Sequence, residues 1–490
     1  MNIKEAFKQD RLPFFSAFGF GLLAYGFCIA NKIPVGDDLV ALFDKGATTV
    51  SGRYGLELLR LVMPDASMPW IYGLMSIFLL SLAVCVIVRL FGIRSKILQV
   101  LLAGVFVCFP AEAGTMFYMF TAAPYALALL LTVTGVWLFT SEKRGRWISA
   151  PVLLAFSCSI YQGYFSVAAS FCVARMIVLL CRTDKTAREV FREGVKMLAM
   201  LLSSLALYGL ALLFASKVLG YPLLHEVING SQSFPLRFAV AYSAWIKTLL
   251  RGYFGYVPNR VSLAMHLALI LAAGTAALTQ LRAKRSCLPL ALLCLFLYPL
   301  SCYCLFLLAD NSYIHSLSLY SFASLYVLCA ALLDGREAAP APGLRRVAAL
   351  ALTVILCVNV YCANALYLRY YLRFEELKSF YTVLLSRVFE TEGFDENSRL
   401  AIVGDAPELV YDIDQHFTDA PLSLPSLELG SVDYAQLIVS RYLGCDIPFA
   451  SEEETAGLEP GDMTVYPYDG SVQKIDDLIV VRFAGKEAAE

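Results

Sequence analysis

Long apolar runs separated by short charged connectors make up most of the chain. A membrane-spanning helix needs roughly 20 apolar residues, fewer where it is bent or sheltered by neighbours, and on that measure the pattern predicts about eleven spans. They cover residues 12–30, 68–90, 96–110, 123–140, 147–160, 164–181, 195–217, 262–280, 287–308, 316–333 and 346–367. Tyr161-Gln162-Gly163-Tyr164 interrupts an apolar run too long for one helix and too short for two full ones, so a tight hairpin is expected there. Between Gly220 and Ser262, four cations (Arg237, Lys247, Arg251 and Arg260) are interspersed with Trp245, Leu249, Leu250, Tyr253 and Phe254. That is the pattern of an amphipathic helix lying in the membrane interface.

From Arg369 the composition becomes that of a small soluble domain. The stretch RFEELKSFYTVLLSRVFE reads as a helix, and Arg399 to Val403 as a buried strand ending at Gly404. In MTVYPYDGSVQKIDDLIVVRF, Asp469-Gly470 joins two short alternating runs and Asp476-Asp477 precedes a Val/Ile-rich strand. The expected division is a multi-span region, 1–368, followed by an α/β domain, 369–490, within the usual domain size.

Charge orients this arrangement. With a cytoplasmic N-terminus, the inner loops receive Arg89, Arg94 and Lys96; Lys143, Arg144 and Arg146; Arg182, Lys185, Arg188, Arg192 and Lys196; Arg282, Lys284 and Arg285; and Arg336, Arg345 and Arg346. The alternation is unbroken, as the positive-inside rule requires. An odd number of spans then puts residues 369–490 and the loop after the first span on the outer side. Lys4, Lys8 and Arg11 before Leu12–Ala30 would suit a signal peptide, but no small-residue cleavage pattern follows, so the segment reads as a retained span.

Composition agrees with a polytopic membrane protein: 59% of residues are hydrophobic, 16% are charged, and the mean hydropathy is +0.65. A net charge of −1 without a basic run among aromatics gives no case for a nucleic-acid partner. Of the fourteen cysteines all but Cys445 lie in or beside apolar segments, where they act as small hydrophobes. The four histidines, His225, His266, His315 and His416, are scattered, so no metal or other cofactor is expected. No Gly-rich nucleotide loop occurs.

Candidate chemistry gathers in Ile33 to Arg60, where Asp37 and Asp38 follow the first span. Carboxylates beside the hydrocarbon boundary are costly to desolvate and tend to be kept for a function. Pro34, Gly36 and Asp37 before Leu39, Leu42 and Phe43 would equally serve as the N-cap of an amphipathic helix, but one cap needs one aspartate. Gly52-Arg53 and Glu57 add a cation and a further carboxylate. Other outer segments supply Glu112 and Tyr118 after Pro110, and His315 in the loop from Asp310. Interfacial Lys and Arg usually snorkel toward lipid headgroups, which is the plain alternative to phosphate binding by Arg237, Lys247, Arg251 and Arg260.

With these pieces placed, the chain resembles the bacterial Gtr type II family of membrane glucosyltransferases, which modify O-antigen and related cell-surface glycans. The resemblance rests on Asp37-Asp38 followed by Gly52-Arg53, on Tyr161-Gln162, and on the ending Met463 to Phe483 with YPYDGSVQKIDDLIVV, and it extends over nearly the full length. It implies a GT-C-like architecture, an acidic first outer loop and a polyprenyl-phosphate sugar donor at the bacterial cytoplasmic membrane, with a glycan acceptor and surrounding membrane lipid as the other partners. Such a donor carries a good leaving group, so the chemistry needs chiefly a base for the acceptor hydroxyl and cations for the departing phosphate. Asp37 or Asp38 is the candidate base, and Arg53, Arg237, Lys247, Arg251 and Arg260 are the candidate phosphate contacts. Glu57, Glu112, Tyr118, Tyr161, Gln162 and His315 are supporting polar groups. A transporter or flippase of polyprenyl-linked glycans is the alternative, and a non-catalytic scaffold a third reading. No clear internal repeat favours the transporter.

Overall fold

Prolines, glycines and capping hydroxyls set where the apolar chain bends. The computed structural model describes residues 3–35, 37–42, 51–63, 66–141, 145–221, 234–251, 259–308, 316–334, 342–404 and 432–484. The helices are α1 (Ile3–Ala30), α2 (Asp37–Val40), α3 (Tyr54–Leu59), α4 (Pro69–Phe91), α5 (Lys96–Val107), α6 (Pro110–Thr115), α7 (Met119–Thr140), α8 (Arg146–Ile160) and α9 (Tyr164–Arg182). They continue as α10 (Ala187–Lys217), α11 (Phe234–Arg251), α12 (Asn259–Arg282), α13 (Leu288–Cys302), α14 (Cys304–Leu308), α15 (Ser324–Leu333), α16 (Pro342–Glu390), α17 (Val432–Leu437) and α18 (Glu452–Thr455). Among the described residues nine helices are long and apolar enough to cross a membrane, the signature of a polytopic helical membrane protein.

The chain divides into two units. The first comprises Met1–Lys32, Phe43–Leu366 and His416–Leu424. In it α4 packs on α1 and α7, α7 on α8, and α9 on α13. The break between α5 and α6 shows how its interior is satisfied. Pro110 has no N–H for the Phe106 carbonyl one turn back, and the Tyr320 hydroxyl donates to that oxygen at 2.9 Å instead. The neighbouring Val107 carbonyl receives the Tyr25 hydroxyl at 2.7 Å. At the charged ends, Asp10 pairs with Arg89, and Asp334 accepts from the backbone N–H groups of Arg94 and Ser95 where α5 begins.

The second unit comprises Ile33–Leu42, Tyr367–Gln415 and Pro425–Glu490. Its sheet has the order β1-β3-β2, from β1 (Arg399–Val403), β2 (Val472–Ile475) and β3 (Leu478–Arg482), with β1 parallel and β2 antiparallel to β3. Ala401, Ala450, Met463, Leu478 and Val480 form its core. Gly404, at φ +93°, ends β1 where a Cβ would stand 2.3 Å from the Phe483 carbonyl oxygen, so only glycine fits this crossing.

Several expectations change. The segment expected to span at 147–160 is α8, 15 residues long, which at about 1.5 Å per residue falls short of a roughly 30 Å hydrocarbon core. The first half of the expected span 316–333 is a 3-10 helix, Ser316–Ala323, and 287–308 breaks at Tyr303. The last span and the predicted helix after Arg369 are one helix, α16, because no proline or glycine separates them. Asp476-Asp477, not Asp469-Gly470, is the hairpin turn between strands, with Asp476 at φ +53°. Helix α2 begins at Asp37, with both aspartates in its first turn. Of the loop 220–262, residues 222–233 and 252–258 lie outside the described residues; α11 fills the stretch between them.

The acidic run Ser451 to Glu454 is a capping box. Glu454 accepts from the Ser451 backbone N–H at 2.8 Å and forms a two-pronged pair with Arg399 at 2.9 and 2.6 Å. The Arg399 guanidinium first, and then Ser451, pull the Glu454 carboxyl down to about 2. A depressed carboxyl contributes stability that is fully present above its unfolded value and lost as pH falls through the folded one. Hydrogen exchange of the β1 and β3 amides in the full chain should therefore quicken as pH drops from about 4.5 toward about 2, after correction for intrinsic rates, and Glu454→Gln should flatten that dependence.

Candidate functional site

The turn before α3 is built around glycine and held by side chains from two distant helices. Gly52 sits at φ +74°, and its carbonyl accepts from the Tyr208 hydroxyl of α10 at 3.2 Å. Gln162, in the α8–α9 hairpin, donates through Nε2 to the Ser51 carbonyl at 2.7 Å and to the Tyr208 hydroxyl at 2.9 Å. The ring of Tyr208 stacks on Tyr54 with centroids 6.0 Å apart.

This turn delivers Arg53 to an aromatic platform. Arg53 Nη1 donates to the Tyr125 hydroxyl at 2.8 Å, and its guanidinium carbon lies 5.3 Å from the Tyr161 ring centroid. The Tyr125 and Tyr161 rings are themselves stacked at 4.5 Å. A guanidinium suits this setting because it lies flat on an aromatic face while keeping its charge and its fork of donors. Arg53 is half-buried, so the cation is oriented before any ligand arrives.

Rings continue inward from the platform. Tyr161 meets Tyr164 edge-on at 5.1 Å, and Tyr164 meets Tyr320 at 6.1 Å. Near Tyr164 and Tyr320 lies Glu112, with no exposed surface. Its Oε1 is 3.4 Å from the Ser76 hydroxyl, and Oε2 has no hydrogen-bond partner among the described residues. Burying an ionised carboxylate with so little compensation is costly.

The two aspartates belong to the second unit and differ in setting. Asp37 is exposed and Asp38 fully buried. A π-helical turn, Ile438–Tyr442, continues α17; from it Arg441 donates to the Val40 carbonyl of α2 at 2.5 Å. Tyr442 packs edge-on against Phe374 at 5.1 Å. Burial, and then the nearby Asp38 charge, push the Tyr442 hydroxyl well above the usual phenol range.

The remaining expected groups are dispersed. Glu57 pairs with Arg60, the residue that caps the end of its helix, and Tyr118 stands half-buried just before α7. Arg237 donates to the Leu307 carbonyl at 3.4 Å, while Lys247 and Arg260 are exposed. His315 and the side chain of Arg251 lie outside the described residues. Among the described residues no group of three or more His, Cys, Asp or Glu side chains is placed to hold a metal ion. Sequence reasoning missed Tyr125, Tyr208 and Ser76. Their only signal was a hydroxyl inside an otherwise apolar run.

A profile of the family described as glucosyl transferase GtrII matches residues 26–333, which takes in Asp37, Asp38, Arg53, Glu112 and the Tyr161-Gln162 hairpin. The C-terminal pattern from Met463 to Phe483 falls outside the match. No curated protein and no solved structure matches the chain.

Gly52→Ala tests the turn. The left-handed backbone costs an L-residue about 1–2 kcal/mol, and the added carbon would stand 2.9 Å from the Tyr208 hydroxyl. Thermal unfolding of the purified protein should show a loss of at least that size, against little change for Gly209→Ala, which has open space around it.

Proposed function

The chain belongs to the glucosyl transferase GtrII family, a family of glucosyltransferases, and from that premise we propose that it moves glucose from a polyprenyl-phosphate donor to a surface-glycan acceptor on the outer face of a bacterial cytoplasmic membrane. The proposed architecture is GT-C-like, with a multi-span region in residues 1–368 and an extracytoplasmic domain in 369–490. The observation that carries the reading is the Arg53 cation, held by a tyrosine hydroxyl and a tyrosine face inside the family match.

In the reaction the acceptor hydroxyl oxygen bonds to the anomeric carbon while the bond from that carbon to the phosphate oxygen breaks. The hydroxyl proton goes to a carboxylate, and the electron pair leaves with the phosphate. Asp37, exposed at the start of α2, is the proposed base, and Asp38, buried behind it, sets the conformation of that turn. Arg53 takes the leaving phosphate, to which its fork of donors is matched. Arg237, Lys247, Arg251 and Arg260 supply the positive interface along which an anionic lipid donor approaches. Glu112, Tyr118, Tyr161, Gln162, Glu57 and His315 support the site.

Two measurements test this. In transfer from a polyprenyl-phosphate sugar, Asp37→Asn should lower turnover on the order of 10²- to 10⁴-fold, whereas Asp38→Asn should chiefly lower the amount of folded protein. Arg53→Lys keeps the charge but loses the fork, and should lower kcat/KM for the donor about 10- to 100-fold. Full turnover by normally accumulated Asp37→Asn would remove the base assignment. The topology is tested by placing a cysteine at exposed Glu459. An impermeant thiol reagent should label Glu459→Cys in intact cells above the parent, and labelling only after lysis would reverse the proposed orientation.

A further inference from the structure

At one end of the first unit, Arg11, Leu12, Phe15 and Ser16 of α1 and Lys96 of α5 line a groove of about 630 Å³. We propose that this groove seats one anionic phospholipid, its phosphate between Arg11 and Lys96 and an acyl chain along α1. The two cations come from different helices, each at the start of a candidate span, Gln9–Ala30 and Lys96–Thr115. They therefore stand at the level of a lipid phosphate rather than within hydrocarbon. Both are exposed, and among the described residues no carboxylate lines the groove. The nearest one in sequence, Asp10, is committed to Arg89 through Nε at 2.9 Å and Nη2 at 2.5 Å. The Ser16 hydroxyl, about one turn further along α1, is within the same lining and can donate to a phosphate or glycerol oxygen.

Below the cations the surface of α1 is shaped for a chain. Leu12, Phe15, Leu22 and Leu23 are 37%, 57%, 39% and 63% exposed and recur at helical spacing along one face. Gly19 and Gly26 continue that face with no atom within 4 Å of where a side chain would begin, leaving a shallow furrow between the leucines. Snorkelling alone would explain isolated cations. It does not require two of them to converge on one groove that they share with Leu12 and Phe15.

Charge complementarity selects the headgroup. Each cation near a lipid surface is worth about fivefold for an anionic lipid, so the pair should favour phosphatidylglycerol over phosphatidylcholine by roughly 30-fold. The proposal is independent of the reaction, because it needs neither Arg53 nor the aspartates. The test is native mass spectrometry of the full-length protein released from nanodiscs of equal parts phosphatidylglycerol and phosphatidylcholine. One retained phosphatidylglycerol per chain is expected, and its preference should fall to near unity in Arg11→Gln/Lys96→Gln. Equal retention of the two lipids by the wild type, or an unchanged preference in the double variant, would overturn the proposal. If the double variant does not accumulate, a photoreactive benzoylphenylalanine replacing Phe15 decides the matter. It should crosslink to phosphatidylglycerol in preference to phosphatidylcholine, and excess inorganic phosphate should leave the crosslink intact. Crosslinking in proportion to bulk lipid, or its loss to free phosphate, would refute a seated lipid.

Discussion

Inside a bundle of apolar helices every polar group must find its partner within the protein, and here tyrosine hydroxyls meet that demand at several of the key positions. Tyr320 and Tyr25 take up the carbonyls released where Pro110 interrupts the α5–α6 helix. Tyr326 bonds His266 Nε2 at 2.7 Å, and Tyr298 bonds Ser324 at 2.6 Å. Tyr125 accepts from Arg53 while Tyr208 donates to the turn that carries it. A tryptophan can only donate, whereas a phenol donates or accepts as its neighbour requires.

Against that background Glu112 is anomalous. One of its oxygens has a single distant hydroxyl and the other has no partner among the described residues. Replacing such a group by an apolar one would relieve the desolvation cost, so packing gives no reason for a carboxylate there. Its place beside Tyr164, itself edge-on to the Tyr161 ring beneath Arg53, puts this unmet capacity next to the proposed phosphate site. An intramembrane ionisable group in that position is better explained by function than by folding.

Hydropathy made most of the helices legible, since α1, α4, α7, α9, α10 and α12 each carry an apolar run of spanning length. It failed where geometry rather than composition decides. The continuity of α16 depends on the absence of a helix breaker near Arg369, and the 3-10 turn Ser316–Ala323 has no hydropathy signal. The capping box at Ser451 was readable from S-x-x-E and was masked by the acidic run around it. At the site, Arg53, Tyr161 and Gln162 stood out as polar interruptions. Tyr125 and Tyr208 did not, because a tyrosine in a spanning segment looks like any other aromatic until its hydroxyl is placed against Arg53 or Gly52. Nor could sequence order reveal that Ile33–Leu42 joins the second unit, an assignment made by tertiary contacts such as Arg441 to Val40.

The adjacency of Asp37 and Asp38 invites one joint role, but helical geometry and solvation divide them. Successive residues on a helix point about 100° apart, and at the start of α2 this leaves Asp37 exposed while Asp38 turns into the unit. The exposed carboxylate is open to solvent. One fully buried must be matched by its surroundings, and here its charge already acts on the Tyr442 hydroxyl. Environments this different are what would let neighbouring carboxylates take the separate roles proposed for them. Their common position in the chain gives them a shared location, and the fold gives them different surroundings.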